Sequence, residues 1–141
     1  MLTGQVGRIF FDRIAEDEDL AEAIRKRVEQ GGIKAGFFVV IGSLKKVVLG
    51  YYKGGKYENL NLAGPLEIAS GMGNIALSQK GEVMIHTHLV VSNEKGEAFG
   101  GHLMSDSPVG ATAELIIVEG LGVNLIRGLD EKTKLNLLKL G

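Results

Sequence analysis

No cysteine occurs in this chain of 141 residues. Its absence excludes disulfides, thiolate metal ligands and cysteine nucleophiles together, and it fits a reducing compartment. Charge of one sign is also missing, since 16 Lys and Arg stand against 17 Asp and Glu. A net charge of −1 creates no field that would gather nucleic acid or an anionic membrane surface. No apolar run approaches the roughly 20 residues of a membrane span, and Met1–Arg8 lacks the apolar core of a signal peptide, so a cytoplasmic protein is expected. A Gly-x-Ser-x-Gly elbow is absent, which argues against a serine hydrolase. Gly71-Met72-Gly73-Asn74 lacks the Lys-Ser/Thr of a phosphate loop. The basic clusters Arg25-Lys26-Arg27 and Lys45-Lys46 are short and carry no interleaved aromatics for stacking bases.

Proline is scarce, with two residues, while glycine reaches 21. That is about twice the ordinary usage of roughly 7% and suggests many short strands joined by turns. The length is that of one domain with a sizeable core, so residues 1–141 read as a single domain.

Gly7–Ile14 reads as the first strand. Asp17-Glu18-Asp19 opens a helix whose apolar stripe is Leu20, Ile24 and Val28, and Gly31-Gly32 closes it. The remaining chain is strand-like. Expected strands are Ala35–Gly42, Val47–Tyr52, Tyr57–Ala63, Leu66–Ser70, Gly73–Ser78, Glu82–Ser92, Glu97–Met104, Thr112–Glu119 and Val123–Arg127. Gly54-Gly55 marks a hairpin turn, Gly64-Pro65 a break, and Gly71-Met72-Gly73 a kink. The tail Asp130–Gly141, with Leu135, Leu137 and Leu140, suits either a strand or one helical turn. The expected class is α+β: a mostly antiparallel, curved sheet of about seven to nine strands with one main helix packed on it.

All three histidines fall in one stretch, His86-Thr87-His88 and His102. Side chains at i and i+2 of a strand share a face. Asn93-Glu94-Lys95-Gly96-Glu97 reads as a hairpin with the three-residue loop Glu94, Lys95 and Gly96, Gly96 taking the left-handed position. That register sets Val90 opposite Gly100 and His88 opposite His102, with His86 one pleat along the same face. A four-residue loop would turn His102 away, and a bulge at Gly100-Gly101 would also shift it. Three imidazoles with an open fourth position are the donor set of catalytic zinc, whose bound water reaches a pKa of about 7. Nickel, cobalt and iron accept the same ligands.

Glu67, Asp106 and Glu114 are the carboxylates read either as partners for a ring N–H or as ordinary surface acids, with Glu67 and Glu114 the catalytic candidates. Arg8 could hold an anionic substrate or form a structural ion pair. Asn74 could orient a ligand or cap the kink beside Gly73.

The order of several motifs resembles the plants-and-prokaryotes-conserved (PPC) domain in its stand-alone prokaryotic form. The matching pieces are Gly7-Arg8-Ile9-Phe10, Gly36 and Gly42, Gly50-Tyr51, Gly64-Pro65-Leu66-Glu67-Ile68 and Gly73-Asn74-Ile75-Ala76-Leu77. His86-Thr87-His88, Gly100-Gly101-His102-Leu103 and Gly110-Ala111-Thr112-Ala113-Glu114 complete the series. The resemblance implies a homotrimer holding a divalent metal, zinc, at His86, His88 and His102. It is similar in fold group to acetolactate decarboxylase and to a zinc-dependent ester hydrolase, which implies a small-molecule ligand and lyase or hydrolase chemistry. A DNA-binding or regulatory module is the alternative the family suggests. This chain has no Arg-Gly-Arg-Pro hook of the kind that DNA-binding plant members carry, and its charge gives DNA no support.

Overall fold

The first strand, β1 (Gln5–Ile14), leads into the helix α1 (Leu20–Gln30). Asp19 caps that helix by accepting a hydrogen bond from the Glu22 N–H at 3.0 Å, and Gly31 closes it by donating to the Arg27 carbonyl at 2.9 Å. Leu20, Ile24 and Val28 are fully buried, so the stripe expected from the sequence is the face packed on the sheet. This computed structural model describes residues 1–139, and Leu140 and Gly141 at the end of the ambiguous tail lie outside them.

Two long strands follow, β2 (Gly36–Lys53) and β3 (Lys56–Ser78), joined at Gly54-Gly55. Each replaces several shorter strands expected from the sequence. The punctuating residues are absorbed as register shifts within continuous strands, between Val40 and Gly42, Leu44 and Lys46, and Ile68 and Ser70. Gly64-Pro65 does not end β3, because the pair sits where the ladder skips from Lys46–Ala63 to Leu44–Leu66 and no proline N–H is needed.

The chain continues through β4 (Val83–Ser92), β5 (Ala98–Leu103), β6 (Val109–Leu121), β7 (Ile126–Leu129) and β8 (Asn136–Lys139). The tail therefore contributes a short strand. All eight strands form one sheet ordered β1-β6-β2-β5-β4-β3-β7-β8, and β2 also pairs with β3. Only the β3–β7 contact is parallel among the pairings of the described residues. Because β2 touches both β3 and β5, the segment β2-β3-β4-β5 curls back on itself.

One face of this sheet carries Phe38, Val40, Ile75, Leu89, Val91, Leu115 and Ile117, all buried in one core with Leu20, Ile24 and Val28 of α1. Alternation then fixes what the opposite face carries. Its central row runs Phe11, Ile116, Val39, Met72, His88 and His102 across β1, β6, β2, β3, β4 and β5. The histidines thus lie at one end of a row of apolar side chains.

Candidate metal centre

The hairpin β4–β5 places the site. Asn93 donates its backbone N–H to the Glu97 carbonyl at 3.1 Å, and Gly96 closes the loop at φ 75. The Asn93 side-chain oxygen accepts from the backbone N–H of Lys95 and of Glu97, each at 3.0 Å, which locks the loop at three residues. Pairing then runs unbroken from Ser92–Ala98 through Val90–Gly100 to His88–His102, with no bulge at Gly100-Gly101. Gly101 is small for another reason: a Cβ there would come within 3.1 Å of the Gly50 carbonyl oxygen on β2.

His86, His88 and His102 converge. One ring nitrogen from each lies within 4.8 Å of the others, and the ring centroids are 4.9, 5.1 and 5.7 Å apart. Nitrogens around a tetrahedral zinc stand about 3.4 Å apart, given Zn–N of about 2.1 Å, so modest side-chain rotations close the set. His102 Nδ1 is buried with no hydrogen-bond partner. Burial, followed by His86 and His88, pushes the His102 pKa down to about 4, so the ring is a neutral donor near neutral pH. Burial also lowers the pKa of His86, helped by Arg127 and His88. Two half-buried imidazoles of lowered pKa and a third exposed one, with an orphaned nitrogen on His102, fit a soft to borderline divalent cation and fit magnesium or calcium poorly.

Two cavities flank the rings. One of about 480 Å³ opens along the apolar row and is lined by Phe37, Val39, Met72, Asn74, His86 and His88, among others. The second, of about 380 Å³, lies towards β7 and β8 and includes Tyr57, His86, His102, Arg127 and Asn136.

Of the other residues singled out by sequence, Asn74 alone reaches the histidines. It sits opposite His86 across β3–β4, and its side-chain oxygen accepts from Arg127 Nη2 at 2.7 Å. Arg8 instead forks onto Glu119, with Nε and Nη2 each 2.7 Å from a carboxylate oxygen, and donates to the Gly31 carbonyl at 3.0 Å. Its guanidinium ties β1 to β6 and the helix end. Glu67 is exposed and pairs with Ser92, four residues beyond His88 or about 13 Å along the strand. Glu114 is exposed on β6, three strands from His88 or about 14 Å across the sheet. Asp106 pairs with Lys46 at 2.7 Å. Neither glutamate nor Asp106 joins the cluster.

Arg127 and Tyr57 were not singled out by sequence reasoning. The Tyr57 ring centroid is 5.0 Å from that of His102. Arg127 Nη2 stands 3.3 Å from His86 Nδ1. The parallel pairing of Leu77 with Ile126 and Ser78 with Arg127 brings this arginine in across nearly fifty residues of chain, and no local pattern announces such a contact.

Known proteins share this chain's sequence and fold. A metal-containing protein from Archaeoglobus fulgidus is 31% identical, with a TM-score of 0.90 and 99% of each chain covered. A plant- and prokaryote-conserved (PPC) protein from Pyrococcus horikoshii is 30% identical, with a TM-score of 0.90, covering 100% of this chain and 99% of that one. The bifunctional protein GlmU of Synechococcus sp. (strain JA-3-3Ab) is 27% identical over 127 residues, which are 89% of this chain. The chain spans 19% and 17% of the length of the two GlmU proteins it matches. The sequence profile of the Plants and Prokaryotes Conserved (PCC) domain matches residues 1–120, ending before Arg127. The chain belongs to the Plants and Prokaryotes Conserved domain family.

Proposed function

We infer that this is a homotrimeric, cytoplasmic zinc protein whose three histidines hold the metal beside a pocket for a small molecule. The observation that carries the reading is the convergence of His86, His88 and His102 within 4.8 Å on one sheet face, with a buried ring nitrogen of His102 left unpartnered. Zinc, when bound, supplies a Lewis acid that polarises a carbonyl or activates water. His88 is the exposed ring of the set and His86 and His102 are half-buried, with a cavity open to ligands on either side of the three rings. The metal-containing protein from Archaeoglobus fulgidus, matched over 99% of each chain, supports the metal half of the reading. The exposed apolar row ending at the histidines supports association of copies.

A DNA-binding role gains nothing from the arrangement of charge. Lys45 pairs with Glu16 and Asp17 at 2.7 and 2.8 Å, Lys46 with Asp106, and Arg27 with Asp12 and Glu18. These cations are neutralised within the fold and do not form a stripe for phosphates.

The test is elemental analysis of untagged protein purified without chelator, with zinc titrations of wild type and His88→Ala. About one zinc per chain, lost in the variant, is expected. Protein free of transition metal whose affinity for added zinc equals that of His88→Ala removes the proposal.

A further inference from the structure

We propose that the cavity between the histidines and β7–β8 binds a small carboxylate-bearing molecule, its carboxylate on Arg127 and an adjacent hydroxyl or carbonyl oxygen facing His86 and His102. The proposal deepens the metal-site reading above and rests on it.

Arg127 is 7% exposed, and its Nε is buried without a hydrogen-bond partner. Its other contacts are neutral acceptors: Nη1 donates to the Asn136 carbonyl at 2.9 Å and Nη2 to the Asn74 side-chain oxygen at 2.7 Å. No carboxylate among the described residues forms an ion pair with it. The titratable groups lining the cavity are Tyr57, His86, His102, Lys134 and Arg127 itself, with no acid among them. Lys134 already pairs with Glu131 at 2.7 Å. A buried cation without a counter-charge is costly unless something negative arrives.

A residue needed only to tie β8 to β7 would serve as well without charge. Arg127 also faces His86 Nδ1 at 3.3 Å, where it can only donate. A neutral imidazole has a single lone pair on nitrogen, so a His86 ring that gives it to a metal cannot also accept from Arg127. Metal loading thus frees the Nη2 N–H that faces His86, its other N–H staying on Asn74, and places a second positive centre nearby, and both changes favour an anion between them. The planar guanidinium fork suits a carboxylate. Among the described residues lining the cavity, Arg127 is the one cation without a carboxylate partner, a thin set for a phosphate dianion.

The experiment uses zinc-loaded, full-chain protein with metal content measured in every sample, titrated calorimetrically with lactate, neutral 1,2-propanediol and inorganic phosphate. Lactate should bind, propanediol should not, and Arg127→Gln should weaken lactate by about tenfold or more with zinc retained. Arg127→Lys, which keeps the charge and loses the fork, should fall between. Should Arg127→Gln fail to fold, the wild-type thermal midpoint decides: lactate should raise it and propanediol should leave it unchanged. Equal lactate affinity in the arginine variants, no preference for lactate over propanediol, or tighter binding of phosphate overturns the proposal. Loss of zinc from wild type sinks the metal reading instead, and an Arg127-dependent lactate signal in that zinc-free protein would still support the anion site.

Discussion

His102 combines a buried, unpartnered nitrogen with two neighbouring imidazoles, and its protonation is coupled to folding. Its pKa is pushed down to about 4 from an ordinary 6.5, chiefly by burial. The folded chain therefore binds fewer protons than the unfolded chain between those values, so stability falls as pH drops through that window. Glu119 works lower on the scale. The Arg8 fork holds its carboxylate near 2, against an ordinary 4.5. Its contribution is present above about 4.5 and is lost as pH falls towards 2. Metal-free protein should accordingly show a thermal midpoint that declines in two separable stages. His102→Asn should flatten the stage between pH 6.5 and 4, and Glu119→Gln the stage below 4.5. Melting curves across pH measure both, and an unaltered upper stage in His102→Asn would show that this ring is not coupled to folding.

At the scale of elements, the β4–β5 hairpin decides whether there is a site at all. Its loop length sets which face His102 occupies, since strand side chains alternate with a period of two. One residue inserted between Glu94 and Lys95 should turn His102 towards the helix side and abolish zinc uptake, read by elemental analysis of folded protein. Gly96→Ala tests the opposite limb. At φ 75 it should cost about 1 kcal/mol while leaving the register and metal uptake intact. Gly73 carries a harsher constraint: a Cβ would lie 2.5 Å from the His86 carbonyl oxygen and closer still to the buried Phe38 ring. Gly73→Ala should therefore cost about 2 kcal/mol in a denaturant melt. Such hairpin features were legible in the chain because they are local. Asn93 to Glu97 states its own turn chemistry, and the helix states its cap at Asp19. Strand continuity was not legible. Gly64-Pro65 and Ser43 to Lys46 carry turn-type residues, yet the ladder absorbs them as register shifts supplied by a neighbouring strand. Arg127 escaped for the same reason on a larger scale, since its place beside His86 comes from a parallel contact between β3 and β7.

For the whole molecule, the question is what covers the sheet face opposite the helix. Phe11 is 76% exposed, Phe37 52%, Ile41 57% and Met72 57%; Phe11 and Met72 share the row through Ile116 and Val39, and Phe37 and Ile41 flank Val39 on β2. An apolar area of that extent is unusual on a monomer. The same row continues through Met72 into His88, so a copy docked on it would also cover the rim of the histidine cluster. A copy docked there would link association to the proposed metal binding: its removal would reopen the site to water and weaken metal retention. Phe11 is the probe, because it is exposed at the far end of the row on β1, beside Ile116, and does not line the cavity at the rings. Phe11→Asp places a charge in the contact away from the histidines. Light scattering after size exclusion should find three copies of the 15.1 kDa chain in wild type and a lone chain in the variant. Zinc should dissociate faster from that lone chain. A wild type that runs as a monomer, or a monomeric variant that holds zinc as long as the assembly does, would separate the apolar face from the metal centre.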